Sequence, residues 1–168
     1  KELDVIEQQE TLRDHLIIIG FGVNGRNLAH AARVAGIRYV TVEMNPDTVR
    51  EEKARGEPII YGDATQEAVL ALLGIQNARV MVIAISDPAA TRRIISIARK
   101  KDPKLYIIAR TRFVQEMEPL YRLGSNEVIP EEFETSVEIF TRVLMKYLIP
   151  KDKIEKFIAD IKIGRAHV

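Results

Sequence analysis

Residues 15–45 read HLIIIGFGVNGRNLAHAARVAGIRYVTVEMN, and this stretch decides the fold. The apolar run Leu16 to Ile19 has the length of a buried strand. It ends in Gly20-Phe21-Gly22-Val23-Asn24-Gly25, a G-x-G-x-x-G placed directly after it. A helix-forming segment, Arg26 to Val34, follows and stops at Gly36. A second strand, Arg38 to Val42, ends in Glu43, eighteen positions after Gly25. Strand, glycine turn, helix, strand and acid in that order form a βαβ unit with a dinucleotide-binding fingerprint. Gly20 permits the tight turn, Gly22 lets a pyrophosphate approach the backbone, and Gly25 lets helix and sheet pack closely. The free N–H groups of the helix N-terminus supply the anion site. Glu43 is placed to accept from a ribose diol and to repel a 2′-phosphate, so the expected ligand is AMP or NAD(H) and not NADP.

Composition narrows the field. A chain of 168 residues makes one domain with at most a short appendage. A net charge of +1 and only 6% aromatic residues argue against a nucleic-acid surface. The absence of cysteine removes disulfides, thiolate metal sites and cysteine nucleophiles, and fits a reducing compartment. No apolar run approaches the ~20 residues of a membrane span, and no signal peptide is visible. Because the sequence begins at Lys1, it reads as a piece of something longer.

Along the chain, residues 1–14 read as a short helix or linker from an upstream segment. After Glu43 and Met44, Asn45-Pro46 starts a helix that runs to about Arg55. Pro58 to Tyr61 is a third strand, ending in Gly62-Asp63-Ala64-Thr65; Asp63 either meets a ligand or caps the helix that runs to Leu73. Val80 to Ile85 is a continuous apolar run, as expected of a buried parallel strand, and Ser86-Asp87-Pro88 starts the helix over Ala89 to Lys100. Leu105 to Ala109 is a fifth strand, tipped by Arg110. A helix over Phe113 to Leu123 and a short strand, Glu127 to Ile129, complete the series. Six strands alternating with five helices predict an α/β, Rossmann-like, doubly wound parallel sheet of order 3-2-1-4-5-6 over residues 15–130. Residues 131–168 then form a crossover helix, Glu131 to Leu148, and a C-terminal helix, Lys151 to Ile163. The crossover helix carries Phe133, Val137, Phe140, Leu144 and Leu148 with Ile139, Val143 and Tyr147 beside them. That stripe is wider than a one-sided surface helix needs, so one face packs on its own domain and the other on a partner subunit.

Catalytic machinery is not evident. His15 precedes the first strand, His30 lies within the first helix and His167 in the tail, so none belongs at a strand tip. No ligand spacing points to a metal. Arg26 and Arg110 are candidates for neutralising phosphates; Arg110 can equally sit at the pocket edge where a signal leaves it. Met44 either contacts adenine or fills the core.

The motifs IIIGFGVNGRNLA, TVEMNP, GDAT, VIAISD, IIARTR and LGSNEVIPEEFETS together resemble the nucleotide-binding RCK or KTN (TrkA-N-like) domain that regulates potassium conductance. The resemblance covers about residues 13 to 148 and is nearest to the cytoplasmic C-terminal part of Kef-type potassium-efflux and cation:proton antiporters. It implies a non-enzymatic regulatory domain at the cytoplasmic face of the membrane, gating an attached monovalent-cation transporter. It also implies a homodimer through residues 131–148 and a transmembrane transporter domain upstream in the same chain. Carried over by motif, the nucleotide contacts are Gly20, Phe21, Gly22, Val23, Asn24, Gly25, Glu43, Met44, Asp63, Ala64, Thr65, Ser86 and Arg110. Relatives often have arginine where this chain has Val23, which removes one phosphate contact. Glutathione control occurs in part of the family, but no motif assigns such a site here. The alternative from another class is an NAD-dependent oxidoreductase domain lacking its substrate domain.

Overall fold

A computed structural model describes residues 12–166; His167 and residues 1–11 of the expected N-terminal linker lie outside the described residues. The alternation of apolar runs and amphipathic segments resolves into β1 (Leu16–Ile19), α1 (Val23–Ala35), β2 (Tyr39–Glu43), α2 (Pro46–Ala54), β3 (Ile59–Tyr61) and α3 (Glu67–Leu72). It continues with β4 (Val80–Ile83), α4 (Pro88–Lys101), β5 (Tyr106–Thr111), α5 (Met117–Leu123), β6 (Glu127–Pro130), α6 (Glu131–Lys146) and α7 (Lys151–Ala166). All strand pairs are parallel, and the sheet order is β3-β2-β1-β4-β5-β6. Ile17 sits in register with Val40 on one side and Met81 on the other. The strand order therefore reverses at β1, and its carboxyl end is the topological switch point where doubly wound sheets bind ligands.

Both faces of the sheet are covered, which is why β1 is apolar at every position. On one face Leu16, Ile18 and Ile59 meet Ala29 and Ala32 of α1 and Val49 of α2. On the other, Ile17, Ile19, Met81 and Ile107 meet Leu70 of α3, Ile94, Ile95 and Ala98 of α4 and Leu120 of α5. Helix starts follow local chemistry. The Asn45 side chain accepts from the amides of Asp47 and Thr48 with Pro46 in the first turn, and Asp87 accepts from Ala90 ahead of α4.

Several boundaries move. α1 begins at Val23, inside the glycine motif, because the Arg26 amide already donates to Gly22 O at 2.9 Å. The expected 113–123 helix divides into a 3-10 turn, Val114–Glu116, and α5. α6 ends at Lys146 rather than Leu148, and Leu148 takes a left-handed conformation with φ +59°. No residue of α6 is fully buried within the described chain. Phe133, Val137 and Leu144 are half-buried, whereas Ile139, Phe140, Val143 and Met145 stay exposed.

Candidate nucleotide site

The site is assembled at the carboxyl edge of β1, β2, β3 and β4. The chain leaves β1 through Gly20, whose φ of +98° is a conformation side chains resist. Gly25 is fixed by contact: a Cβ there would fall 2.0 Å from Gly20 O. Gly22 differs from both. Its backbone is extended (φ −78°), and an added Cβ would meet nothing within 4 Å. Two glycines are thus demanded by the fold, while the middle one faces open space at the head of α1. No side chain caps that helix end, and no acidic residue occupies its first turn. The amides of its first turn have no partner within the helix by geometry, so the helix presents uncompensated donors and positive partial charge to the groove. Val23 and Met44 are exposed beside it, and Phe21 is buried beneath it.

Glu43 ends β2 next to this loop. One carboxylate oxygen accepts from the Met44 amide at 2.6 Å and lies 3.4 Å from the Asn45 amide; the other lies 3.4 Å from the Phe21 amide. The acid ties the end of β2 to the glycine loop and puts negative charge at the groove wall. The Gly62-Asp63-Ala64-Thr65 turn joins the same wall, since the Gly62 amide donates to Glu43 O at 3.1 Å. Asp63 does not cap α3, whose N-cap is Gln66. Its carboxylate instead accepts from the Thr65 amide at 2.9 Å and hydroxyl at 2.7 Å. Those two bonds hold its pKa below the ordinary carboxylate value, with Arg93 helping. Ala64 is buried in the core, and Ser86 is exposed between β4 and α4.

The two arginines proposed for phosphates have protein partners. Arg26 is paired with the buried Glu52 at 2.8 Å and stacks 4.8 Å over the Phe21 ring. Arg110 donates to Ala84 O at 3.0 Å and is ion-paired with Glu131 of α6. Sequence reasoning missed Arg93, whose Nε donates to Thr65 O at 3.0 Å and pins the GDAT turn to α4. Only its place as the second of two adjacent arginines in α4 hinted at it. His15 is fully buried under α3, with Nε2 2.7 Å from Leu73 O, and burial pushes its pKa down. His30 is exposed on α1. Among the described residues no three His, Asp or Glu side chains are grouped to hold a metal ion.

A nucleotide fits this donor set. The open cradle at Gly22, the uncapped helix and the carboxylate of Glu43 match a phosphate followed by a ribose diol. Comparison with known proteins agrees with that geometry: a family model described as the TrkA-N domain matches residues 16–131. The chain belongs to the TrkA-N domain family. A proposed K+ efflux antiporter (KefB) of Alkalimonas amylolytica is 28% identical over 158 residues, covering 94% of this chain and 24% of that protein. A glutathione-regulated potassium-efflux system protein of Haemophilus influenzae is 26% identical, covering 96% of this chain and 27% of that protein. This TrkA-N domain therefore spans about a quarter of the length of those curated relatives. Among solved structures, the Kef C-terminal domain of Shewanella denitrificans in its AMP-bound form shares the fold. Its TM-score is 0.79 and its identity 23%, over 91% of this chain and 94% of that one. GsuK bound to ADP matches with a TM-score of 0.65 and 25% identity, over 72% of this chain and 32% of that one. No helix among the described residues is long and apolar enough to cross a membrane.

Proposed function

We propose that this TrkA-N domain is a non-enzymatic regulatory module on the cytoplasmic face of a membrane. It binds an adenine or nicotinamide nucleotide and gates a potassium or other monovalent-cation transporter to which it is joined. The observation that carries the reading is the uncapped glycine loop at the switch point, with open space at Gly22, in a chain that continues directly into a helix bearing an exposed apolar face. Residues 15–130 hold the ligand through Gly20 to Gly25, Glu43, Met44, the Asp63-Ala64-Thr65 turn and Ser86. Residues 1–14 lead from the transmembrane domain. Residues 131–148 pair two copies, supported by the exposed Phe140 and Val143 and by an apolar groove of about 570 Å³ lined by Met145, Leu148, Ile154 and Ile158. The ligand is AMP or NAD(H) and not NADP, because Glu43 opposes a 2′-phosphate. The names of the relatives support the transport role, and the AMP and ADP complexes of the structural neighbours support the ligand class. Binding shifts the gate by the difference in nucleotide affinity between two arrangements of the assembly, typically ~1–3 kcal/mol.

A thermal-shift series with AMP, ADP, NAD, NADH and NADPH at equal concentration tests this. A ligand at a hundred times its Kd stabilises by about 2.7 kcal/mol, a melting shift of about 5–11 °C for a chain of this size. AMP or NAD(H) should give that shift and NADPH much less. A flat response across the panel sinks the reading.

A further inference from the structure

Arg110 joins two parts of the molecule that the proposed function needs to connect. One end of its guanidinium donates to Ala84 O at 3.0 Å. Ala84 follows β4, and its amide donates to Ile19 O at 2.8 Å, the last residue of β1. The Ala84–Ile85 segment lies against the first glycine of the loop. A Cβ added to Gly20 would fall 2.8 Å from the Ile85 side chain and 3.5 Å from the Ala84 carbonyl carbon. The other end of the guanidinium is ion-paired with Glu131, the first residue of α6. Beside that pair, the Glu132 amide donates to Arg112 O at 3.3 Å. One side chain thus touches the backbone behind the glycine loop and the base of the helix that bears the exposed apolar face.

The pair is partly withdrawn from water, with the Arg110 and Glu131 side chains 24% and 35% exposed. Attraction there is screened less than in an exposed surface pair. Burial, and after it the neighbouring Arg112, lower the Arg110 pKa from its ordinary value. α6 has no fully buried residue, so this pair adds a fixed point at the base of a helix otherwise seated by half-buried side chains such as Phe133 and Val137.

We infer that the Arg110–Glu131 pair couples occupancy of the glycine-loop groove to the setting of α6. A ligand that moves the Gly20–Ala84 contact moves the carbonyl that Arg110 holds, and the base of α6 follows. The inference rests on the groove being the nucleotide site proposed above. It assigns Arg110 as a positioning residue rather than a phosphate contact.

The test is hydrogen–deuterium exchange of residues 132–137 in the whole chain with and without saturating AMP, and in parallel NAD, with each Kd measured by calorimetry. In the wild type the ligand should change exchange at the base of α6 by about fivefold or more. In Glu131→Gln that change should vanish while Kd stays within about twofold. Arg110→Lys keeps the charge but loses the fork that spans both partners, and it should lose most of the change too. It carries the test if circular dichroism shows that Glu131→Gln does not fold. Binding without any change at α6 in the wild type overturns the inference alone, as does a full change retained in both variants. A Kd weakened tenfold or more in Arg110→Lys also overturns it and returns Arg110 to the ligand site. Failure of AMP and NAD to bind removes the inference and the functional reading together.

Discussion

Gly22 and Gly25 stand three positions apart in one loop, and the structure predicts opposite outcomes for the same substitution at each. An alanine Cβ at position 25 would lie 2.0 Å from Gly20 O and 2.9 Å from Gly20 C. Both are backbone atoms, so no rotamer change relieves the overlap; the turn or the first helical turn must retreat by more than an ångström. Overpacking of this kind costs about 3 kcal/mol. Better helix propensity returns about 1 kcal/mol. The net loss of about 2 kcal/mol lowers the melting temperature of a chain this size by about 4–8 °C. At position 22 the Cβ meets nothing, and φ −78° suits alanine. A slightly poorer N-cap and a less flexible unfolded chain offset each other to within about 0.5 kcal/mol. Gly22→Ala should therefore melt within about 2 °C of wild type yet lose the nucleotide-induced shift, because its methyl fills the space a phosphate needs. Scanning calorimetry with and without AMP reads both effects. If Gly25→Ala melts like wild type, the loop is not packed as described. If Gly22→Ala keeps its AMP shift, no phosphate approaches that backbone.

Glu43→Gln should weaken NADH about tenfold, since hydrogen bonds to a charged acceptor are worth about 1.5–3 kcal/mol, while NADPH improves; titration calorimetry showing unchanged discrimination would refute the role of the acid. His15 is buried with its pKa lowered, chiefly by desolvation. Its contribution to stability is complete above the unfolded pKa of about 6.5 and falls as pH drops from there through the folded value. Urea midpoints should decline between about pH 7.5 and 5, and this part of the decline should be missing in His15→Gln; identical pH profiles would count against it. Phe140→Asp places a charge on the exposed face of α6 and should shift sedimentation toward monomer by tenfold or more in Kd, about 1.4 kcal/mol, with the melting curve of the monomer little changed. An unaltered sedimentation profile would place the contact between copies elsewhere.

The strands themselves were legible because each depends on a short-range pattern, while their order in the sheet follows the common doubly wound arrangement. Leu16 to Ile19 is apolar throughout because both its faces are covered, and the glycine motif obeys steric limits within six residues. Asn45-Pro46 and Asp87-Pro88 state their helix starts locally, and both cap as the sequence predicts. What escaped the sequence is which long polar side chain meets which partner. Arg26 and Glu52 are joined across twenty-six positions, and Arg93 and Thr65 across twenty-eight. No periodicity encodes such pairs; they exist only once the helices and turns are laid on a sheet. Asp63 shows the same limit at short range. Its place at a strand tip was readable, but the choice between helix cap, ligand contact and Thr65 turn depends on where α3 begins, with Gln66 at its N-cap, and on which donors the carboxylate meets.

β6 ends at Pro130 and α6 starts at Glu131, so no loop intervenes between strand and helix. Proline fixes one of the two torsions at that joint, which makes it stiff in bending. The sixteen residues of α6 then form a lever arm about 24 Å long, and a tilt of only ~5° at its base carries the far end ~2 Å. Displacements too small to notice at the sheet edge arrive enlarged at Val143 and Lys146.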